Sequence, residues 1–320
     1  MNRIFTSVLI LLGFLSISNV KAQQDVQVSH NMFNHMAINP GYAGANDAIC
    51  ATMIGRNQWM GFTGAPKTYL FSIDAPLRIL GNSGIGLNVM SDELGFEKNT
   101  GVRLSFAKKL VVGSGTLGIG LQGALLSKSY DFGKFKPIEQ GDVLLSSTAV
   151  EQDMMFDMGF GLYYRIPSKL YVGLSSSQLL ETTGSYGNSA LKSNPQLARH
   201  YYFTAGYYYP LNADIELQPS ILIKTELAST QFDFNALALY KQRFWGGLTY
   251  RTQDALAVML GLQPFASGAM KNLKIGFAYD LTTSAIGRNG SSGSLELMLN
   301  YCFKIERIIV PSSYRTVRFG

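Results

Sequence analysis

The sequence is poor in the residues that do chemistry. Three histidines occur in 320 residues, His30, His35 and His200, and two cysteines, Cys50 and Cys302. His30 and His35 are five apart in a stretch with no regular periodicity, a poor spacing for metal ligands. A hydrolase would need a Ser–His pair held by an orienting group. His200 with Ser175 or Ser177 comes nearest, and no local motif marks either serine as a nucleophile. Gly84-Ile85-Gly86 and Gly118-Ile119-Gly120 sit in extended stretches with no phosphate-binding loop after them. The chain is therefore expected to be no enzyme, with no catalytic residue, metal or cofactor. Only 15% of residues are charged. Lys and Arg nowhere cluster with interleaved aromatics, which argues against a nucleic-acid partner. After the first 22 residues no run of about 18 apolar residues occurs, so no transmembrane helix is expected.

The first 22 residues read as a secretory signal. Arg3 supplies the positive start, Val8 to Leu15 the apolar stretch, and Val20-Lys21-Ala22 a small-residue cleavage site. The apolar stretch is too short to span a bilayer, which takes about 20 residues. No Cys follows the site, which argues against a lipid anchor. Loss of Arg3 and Lys21 takes the basic count from 27 to 25, against 21 acids, a net +4.

What the mature chain does contain is alternation. Leu295, Leu297, Leu299, Tyr301 and Phe303 share one face of an extended segment, and Glu296, Met298, Asn300 and Cys302 the other. Val102, Leu104 and Phe106 oppose Arg103 and Ser105. Ile119 and Leu121 oppose Gly120 and Gln122. Fourteen such segments follow one another: 49–57, 67–75, 84–92, 98–108, 115–128, 154–165, 170–178, 200–210, 213–225, 231–240, 243–252, 254–264, 272–281 and 294–303. With almost no helix to cover them, the pattern implies an all-β fold: a closed transmembrane antiparallel barrel of about 14 strands, apolar outside and polar inside. Connections after even-numbered strands are mostly short. Those after odd-numbered strands include the long ones, 129–153, 179–199 and 282–293. Short turns face the periplasm in bacterial barrels, so both termini are expected there, in the outer membrane of a Gram-negative bacterium.

The inward set carries both signs: Arg103, Asp157, Arg165, Glu216, Lys224, Asp233, Arg251, Lys274, Asp280 and Glu296. A salt-bridged lumen fits this better than an ion path, where one sign would dominate. Inward Gly118, Gly120, Gly159 and Gly161 leave room or let the wall bend. With 17 Tyr and 2 Trp, Tyr supplies much of the interfacial girdle; Tyr201, Phe203, Tyr207 and Tyr209 fall on the lipid face. Residues 23–48 precede the barrel (49–303) as a turn-rich segment that either plugs the lumen or binds a periplasmic component. Residues 304–320 follow as a basic tail. Cys50 opens the first strand and Cys302 ends the last. Both face the lumen at the periplasmic end, in an oxidising compartment. They are candidates for a disulfide, the alternative being two small seam residues.

Several blocks resemble one family. They are Gln23-Gln24-Asp25, Met32-Phe33-Asn34 and Asn39-Pro40-Gly41-Tyr42-Ala43-Gly44. After these come Arg56-Asn57-Gln58-Trp59, Gly61-Phe62 and Gly64-Ala65-Pro66-Lys67-Thr68. Ser91-Asp92-Glu93-Leu94-Gly95, Tyr171-Val172-Gly173-Leu174-Ser175, Pro219-Ser220 with Lys224, Tyr250-Arg251 with Asp254-Ala255, Tyr279-Asp280, Tyr301-Cys302-Phe303 and Arg318-Phe319 complete the set. In order and spacing they are similar to the PorP/SprF family of type IX secretion membrane proteins. Departures are Gly41, usually Ala in the family, and Gly320, where a larger apolar residue often follows. The resemblance implies an outer-membrane barrel of type IX secretion and, in some members, gliding motility. It implies delivery or anchoring of adhesin-like secreted cargo bearing a C-terminal sorting domain, and contact with periplasmic ring lipoproteins or peptidoglycan-linked components.

Partner-binding candidates are then Trp59, Phe62 and Pro66 near the external mouth, Asn39, Pro40 and Tyr42 in the leading segment, and Arg315, Arg318 and Phe319 in the tail. Trp59 is the best single contact residue, since Trp often anchors interfaces; packing of its own loop, or a place in the interfacial girdle, is the equal alternative. The competing readings are an outer-membrane porin or hydrophobic-solute channel, and an adhesin acting alone through its loops.

Overall fold

A computed structural model of the chain describes residues 25–77, 80–134, 150–185, 195–265, 267–268, 270–285 and 290–304. The signal segment, most of the tail (with Arg315, Arg318 and Phe319) and parts of the three long loops lie outside the described residues.

The alternating segments form fourteen strands. They are β1 (Ala48–Asn57), β2 (Lys67–Leu77), β3 (Ser83–Leu94), β4 (Glu97–Val112), β5 (Gly115–Asp131), β6 (Val150–Ile166) and β7 (Leu170–Ser177). Then come β8 (His200–Tyr207, resuming after Tyr208 as Tyr209–Pro210), β9 (Ile215–Thr225), β10 (Thr230–Tyr240), β11 (Phe244–Arg251), β12 (Ala255–Leu262), β13 (Leu273–Thr282) and β14 (Ser294–Lys304). Each pairs antiparallel with its neighbours, and β14 pairs with β1 from Lys304 opposite Ala48 to Leu295 opposite Asn57. The sheet is thus a closed barrel with no free lateral edge, as lipid requires. The pleat sorts side chains as the sequence implies: Leu297, Leu299 and Phe303 are exposed outward, while Glu296 and Met298 are buried.

Eight-residue strands such as β11 and β12 run about 26 Å at ~3.3 Å per residue, which at a tilt of about 40° is ~20 Å of height, at the short end for the apolar band of a barrel. β4, β5 and β6 have 16, 17 and 17 residues, so this side of the wall stands well above the rest. The extra length exceeds what alternation reveals, because Lys128, Ser129, Glu151 and Asp153 project above the lipid. There polar residues occupy both faces while backbone pairing continues.

Exposed tyrosines lie at both rims, Tyr69 and Tyr250 toward the long loops, Tyr207, Tyr209 and Tyr240 toward the short turns. Neither Trp joins them on the lipid face: Trp245 is buried in the lumen, and Trp59 sits in a loop. Cys50 stands opposite Cys302 in the β1–β14 register, and the two are joined in a disulfide with Cα atoms 4.0 Å apart. Replacing both by Ser should cost about 2–5 kcal/mol, read as a lower urea midpoint in lipid vesicles. A midpoint equal to that of the unchanged protein would mean the bond adds nothing to barrel stability.

Candidate functional site

Of the two places open to the leading segment, Asp25–Asp47 occupies the lumen. No residue here has a long enough periodic run to form a helix or strand; three single 3₁₀ turns, Asn31–Phe33, His35–Ala37 and Pro40–Tyr42, fold it compactly instead. It enters from the loop half and leaves at the turn end, where β1 begins. The barrel's own ends, Ala48 and Lys304, are therefore paired at the turn end, while Asp25 lies across the lumen, toward the loops.

Asp25 is held by three strands. Tyr202 on β8 donates to its carboxylate at 2.5 Å, Arg103 on β4 pairs with it at 3.5 Å, and Lys224 on β9 donates to its carbonyl at 2.9 Å. Burial alone would raise this carboxyl; Arg103, His200, Tyr202 and Lys224 reverse that and hold it well below the usual carboxylate range.

At the seam, Glu296 on β14 accepts from the backbone N–H groups of Ser29 and His30, both at 2.8 Å, and meets His30 Nδ1 at 2.6 Å. Arg56 on β1 bridges Glu296 at 3.1 Å and Asp280 on β13 at 2.7 Å. Ser29 Oγ donates to Asp280, at 2.8 Å to one oxygen and 2.9 Å to the other. Arg251 continues the chain to Asp233 at 3.2 Å and donates to the Val28 carbonyl at 3.2 Å. The mixed inward charges do form a salt-bridged lumen, and the network passes through the segment inside it. Trp245 packs edge-on against His30 and lies 4.9 Å from Phe33.

Deeper in, Ser72 donates to Asn34 at 2.8 Å, and Ser175 donates to the Ile38 carbonyl at 2.7 Å. Ser175 is thus engaged by the plug. His200 turns its Nδ1 to Gln178 at 2.7 Å and to the Ala198 carbonyl at 2.8 Å. The Asn39-Pro40-Gly41-Tyr42 turn lies flat against β5, β6 and β7. Asn39 Nδ2 donates to the Leu162 carbonyl at 2.9 Å and its Oδ1 accepts from Gly41 N at 2.8 Å. This approach is open because the wall has no side chains there. A Cβ on Gly120 would fall on the Pro40–Gly41 peptide, on Gly118 on the Gly41 carbonyl, and on Gly161 on Asn39 Oδ1. Gly118, Gly120 and Gly161 make a bed for the turn, and the room they leave is occupied; inward Gly159 faces Ser176 and Gln122 of the wall instead. Gly41 itself faces the Gly118 and Gly161 carbonyls, each 2.9 Å from where a Cβ would stand. Gly41→Ala should therefore loosen the turn by about 1–3 kcal/mol, seen as faster amide exchange at Tyr42. Unchanged exchange would show that the bed yields.

Tyr42 closes an aromatic group with His35, Tyr163 and Tyr171, at centroid distances of 4.6–5.9 Å. Burial, with Arg165 nearby, pushes the His35 ring down to about 4, so it is neutral near pH 7. At the turn end Asp74 accepts from Gly44 N at 2.9 Å, Lys109 donates to the Gly44 carbonyl at 2.8 Å, and Arg165 to the Ala45 carbonyl at 3.0 Å.

Among the sequence candidates, Asn39, Pro40 and Tyr42 converge in the lumen. Trp59, Phe62 and Pro66 converge separately in the β1–β2 loop, where they line a shallow hollow of about 260 Å³ with Leu94. Trp59 N donates to Ser294 Oγ at 3.1 Å, and Met60 exchanges backbone bonds with Ser292 and Gly293, so this loop extends the seam. Pro66 is buried and Phe62 is 40% exposed. Periodicity gave no sign of Ser29, His30 or Arg56 as anchors. The available signal was the concentration of inward Arg56, Asp233, Arg251, Asp280 and Glu296 near one height of the wall.

Several solved outer-membrane proteins are similar to this chain at low identity. The toluene transporter TbuX of Ralstonia pickettii is 11% identical, with 81% of this chain and 88% of that one covered and a TM-score of 0.44. A Pseudomonas aeruginosa FadL homologue is 9% identical, with 81% and 89% covered and a TM-score of 0.44. The Acinetobacter baumannii outer-membrane protein Omp33 is 6% identical, with 81% and 99% covered and a TM-score of 0.43. Comparison with curated proteins yields no match. The family of type IX secretion system membrane proteins PorP/SprF matches residues 20–301, the whole barrel but its last three residues together with the segment inside it. With its apolar outer belt and closed wall, the chain is an outer-membrane β-barrel belonging to the PorP/SprF family of type IX secretion.

Proposed function

We propose that this protein is a non-enzymatic, closed scaffold of the type IX machinery, anchoring secreted cargo at the cell surface with its loops and meeting periplasmic components at its turn end. The observation that carries this reading is the plug. Asp25–Asp47 crosses the lumen and is hydrogen-bonded to the wall along its length, which favours a barrel that presents surfaces over one that passes solutes. The cargo in this reading is an adhesin-like protein with a C-terminal sorting domain. The periplasmic partners are ring lipoproteins or peptidoglycan-linked components, met by the turns and the basic tail. The hollow around Trp59, Phe62 and Pro66 supplies an apolar contact on the loop side.

Extraction of the protein from native outer membranes in mild detergent should bring down a sorting-domain protein or a ring lipoprotein. A lone barrel that conducts ions in a planar bilayer would instead support the channel reading. The orientation is checked separately. A membrane-impermeant maleimide applied to whole cells should label Thr63→Cys in the β1–β2 loop and leave Ser168→Cys in the β6–β7 turn unlabelled; the reverse pattern would invert the assignment of the two ends.

A further inference from the structure

The outer wall is dented on one side. In register across β9 to β12, Leu217, Ala238, Gly246 and Leu260 form one outward row, and Pro219, Ala236, Leu248 and Val258 the next. Where neighbouring strands present Leu, Phe or Tyr, Ala236, Ala238 and Gly246 present almost nothing. The result is a groove of about 570 Å³, floored by these three and walled by Tyr207 and Tyr209 on one side and Leu260 on the other. Its lining is almost wholly apolar. At ~30 Å³ per water-sized group, it has room for one acyl chain.

The groove opens toward the turn end, and its mouth is charged. Ala238 is three residues from Lys241, and Gly246 three from Arg243, about 10 Å at ~3.3 Å per residue. Both cations are exposed in the β10–β11 turn. Lys169 in the β6–β7 turn and Lys271 before β13 are exposed on either flank. Among the described residues one exposed carboxylate faces them, Asp214 in the β8–β9 turn, whose carbonyl accepts from Lys241 N at 2.6 Å. Arg243 also donates to the Pro264 carbonyl at 3.3 Å, which fixes the guanidinium at the rim. An apolar slot ending in several cations and a single carboxylate matches one kind of lipid, with a chain to lay down and a phosphate to present without a compensating amine.

We propose that this groove is a binding site for one anionic phospholipid, with an acyl chain on the Ala236–Ala238–Gly246 floor and the phosphate at Lys241 and Arg243. Its placement in the periplasm-facing leaflet rests on the orientation given above; the site itself does not. A lipid held here would fix the barrel's height in the membrane at the side where the wall is shortest.

The test is native mass spectrometry of the detergent-purified protein with equimolar phosphatidylglycerol and phosphatidylethanolamine of identical acyl chains. The protein should retain phosphatidylglycerol in preference. The Lys241→Gln, Arg243→Gln double variant should lower that adduct on the order of 10-fold and leave phosphatidylethanolamine unchanged. Ala238→Leu, which fills the floor from outside, should lower both adducts. Lys108→Gln, on the far side of the same rim, is the control and should change neither. Equal retention of the two lipids would overturn the proposal, as would a Lys108→Gln loss as large as that of the pair. Heat-modifiable migration shows that each variant is folded. Because the assay is done in detergent, an inverted labelling pattern in cells with these adducts intact would move the site to the other leaflet and leave its chemistry standing.

Discussion

Gly120→Leu should turn a closed barrel into a conducting one. The inward position of Gly120 on β5 lies directly on the Pro40–Gly41 peptide, so a side chain there collides with backbone, which has no rotamer to escape into. Overpacking of this kind costs about 1–3 kcal/mol and sometimes more, and something must move. β5 is tied to β4 and β6 along its whole length, whereas the turn at residues 39–42 is held by a few hydrogen bonds. The plug should therefore yield. Expected are single-channel steps in planar bilayers, protease cleavage within residues 25–47, and heat-modifiable migration like that of the unchanged protein. Gly123→Leu is the control: it faces outward on the same strand and its Cβ would meet only Phe156, at 3.8 Å. A silent Gly120→Leu barrel with a protected plug would show that the turn can shift within the lumen without leaving it.

The second large effect is at the seam. Glu296 is fully buried and accepts from two plug N–H groups, from the His30 ring and from Arg56. Removing it leaves those donors, one of them charged, without their acceptor, and breaking a buried ion pair costs about 3–5 kcal/mol. Glu296→Ala should lower the urea midpoint accordingly and expose the Ser29 and His30 amides to exchange. Glu296→Gln keeps one acceptor oxygen and should fall between. Asp280→Ala should cost more when added to Glu296→Ala than when made alone, because Arg56 then keeps neither of its two carboxylates and is left as an unpaired buried cation. A Glu296→Ala loss below about 1 kcal/mol would mean that water replaces the carboxylate without penalty, and the plug would then be only loosely tied to the seam.

The barrel was legible because its rule is local. Alternation at Leu295–Phe303 or Val102–Phe106 reports a face without knowledge of the neighbour, and an even set of such segments closes on itself. The loop-side ends of β5 and β6 were not legible, since above the lipid both faces are polar. The lumen was half legible. Gly118, Gly120 and Gly161 could be placed inside, and the leading segment could be assigned to lumen or periplasm. That one fits the other depends on which strands stand side by side at which height, and no single segment encodes that. The charges show the same limit. Arg251 and Asp233 pair across adjacent strands and follow from register, but the partners of Glu296 include backbone amides 266 and 267 residues away. A backbone amide leaves no mark in composition or periodicity.

The bond between Cys50 and Cys302 spans 252 residues of chain. Because Cys50 is exported early and Cys302 near the end, the first thiol waits through nearly the whole of synthesis for its proper mate. Its oxidation is then a record of completion: the two sulfurs meet in register only once the last strand has found the first. Trapping free thiols in growing cells would therefore count unfinished barrels, and the ratio of oxidised to reduced chains would time how long this protein takes to be built.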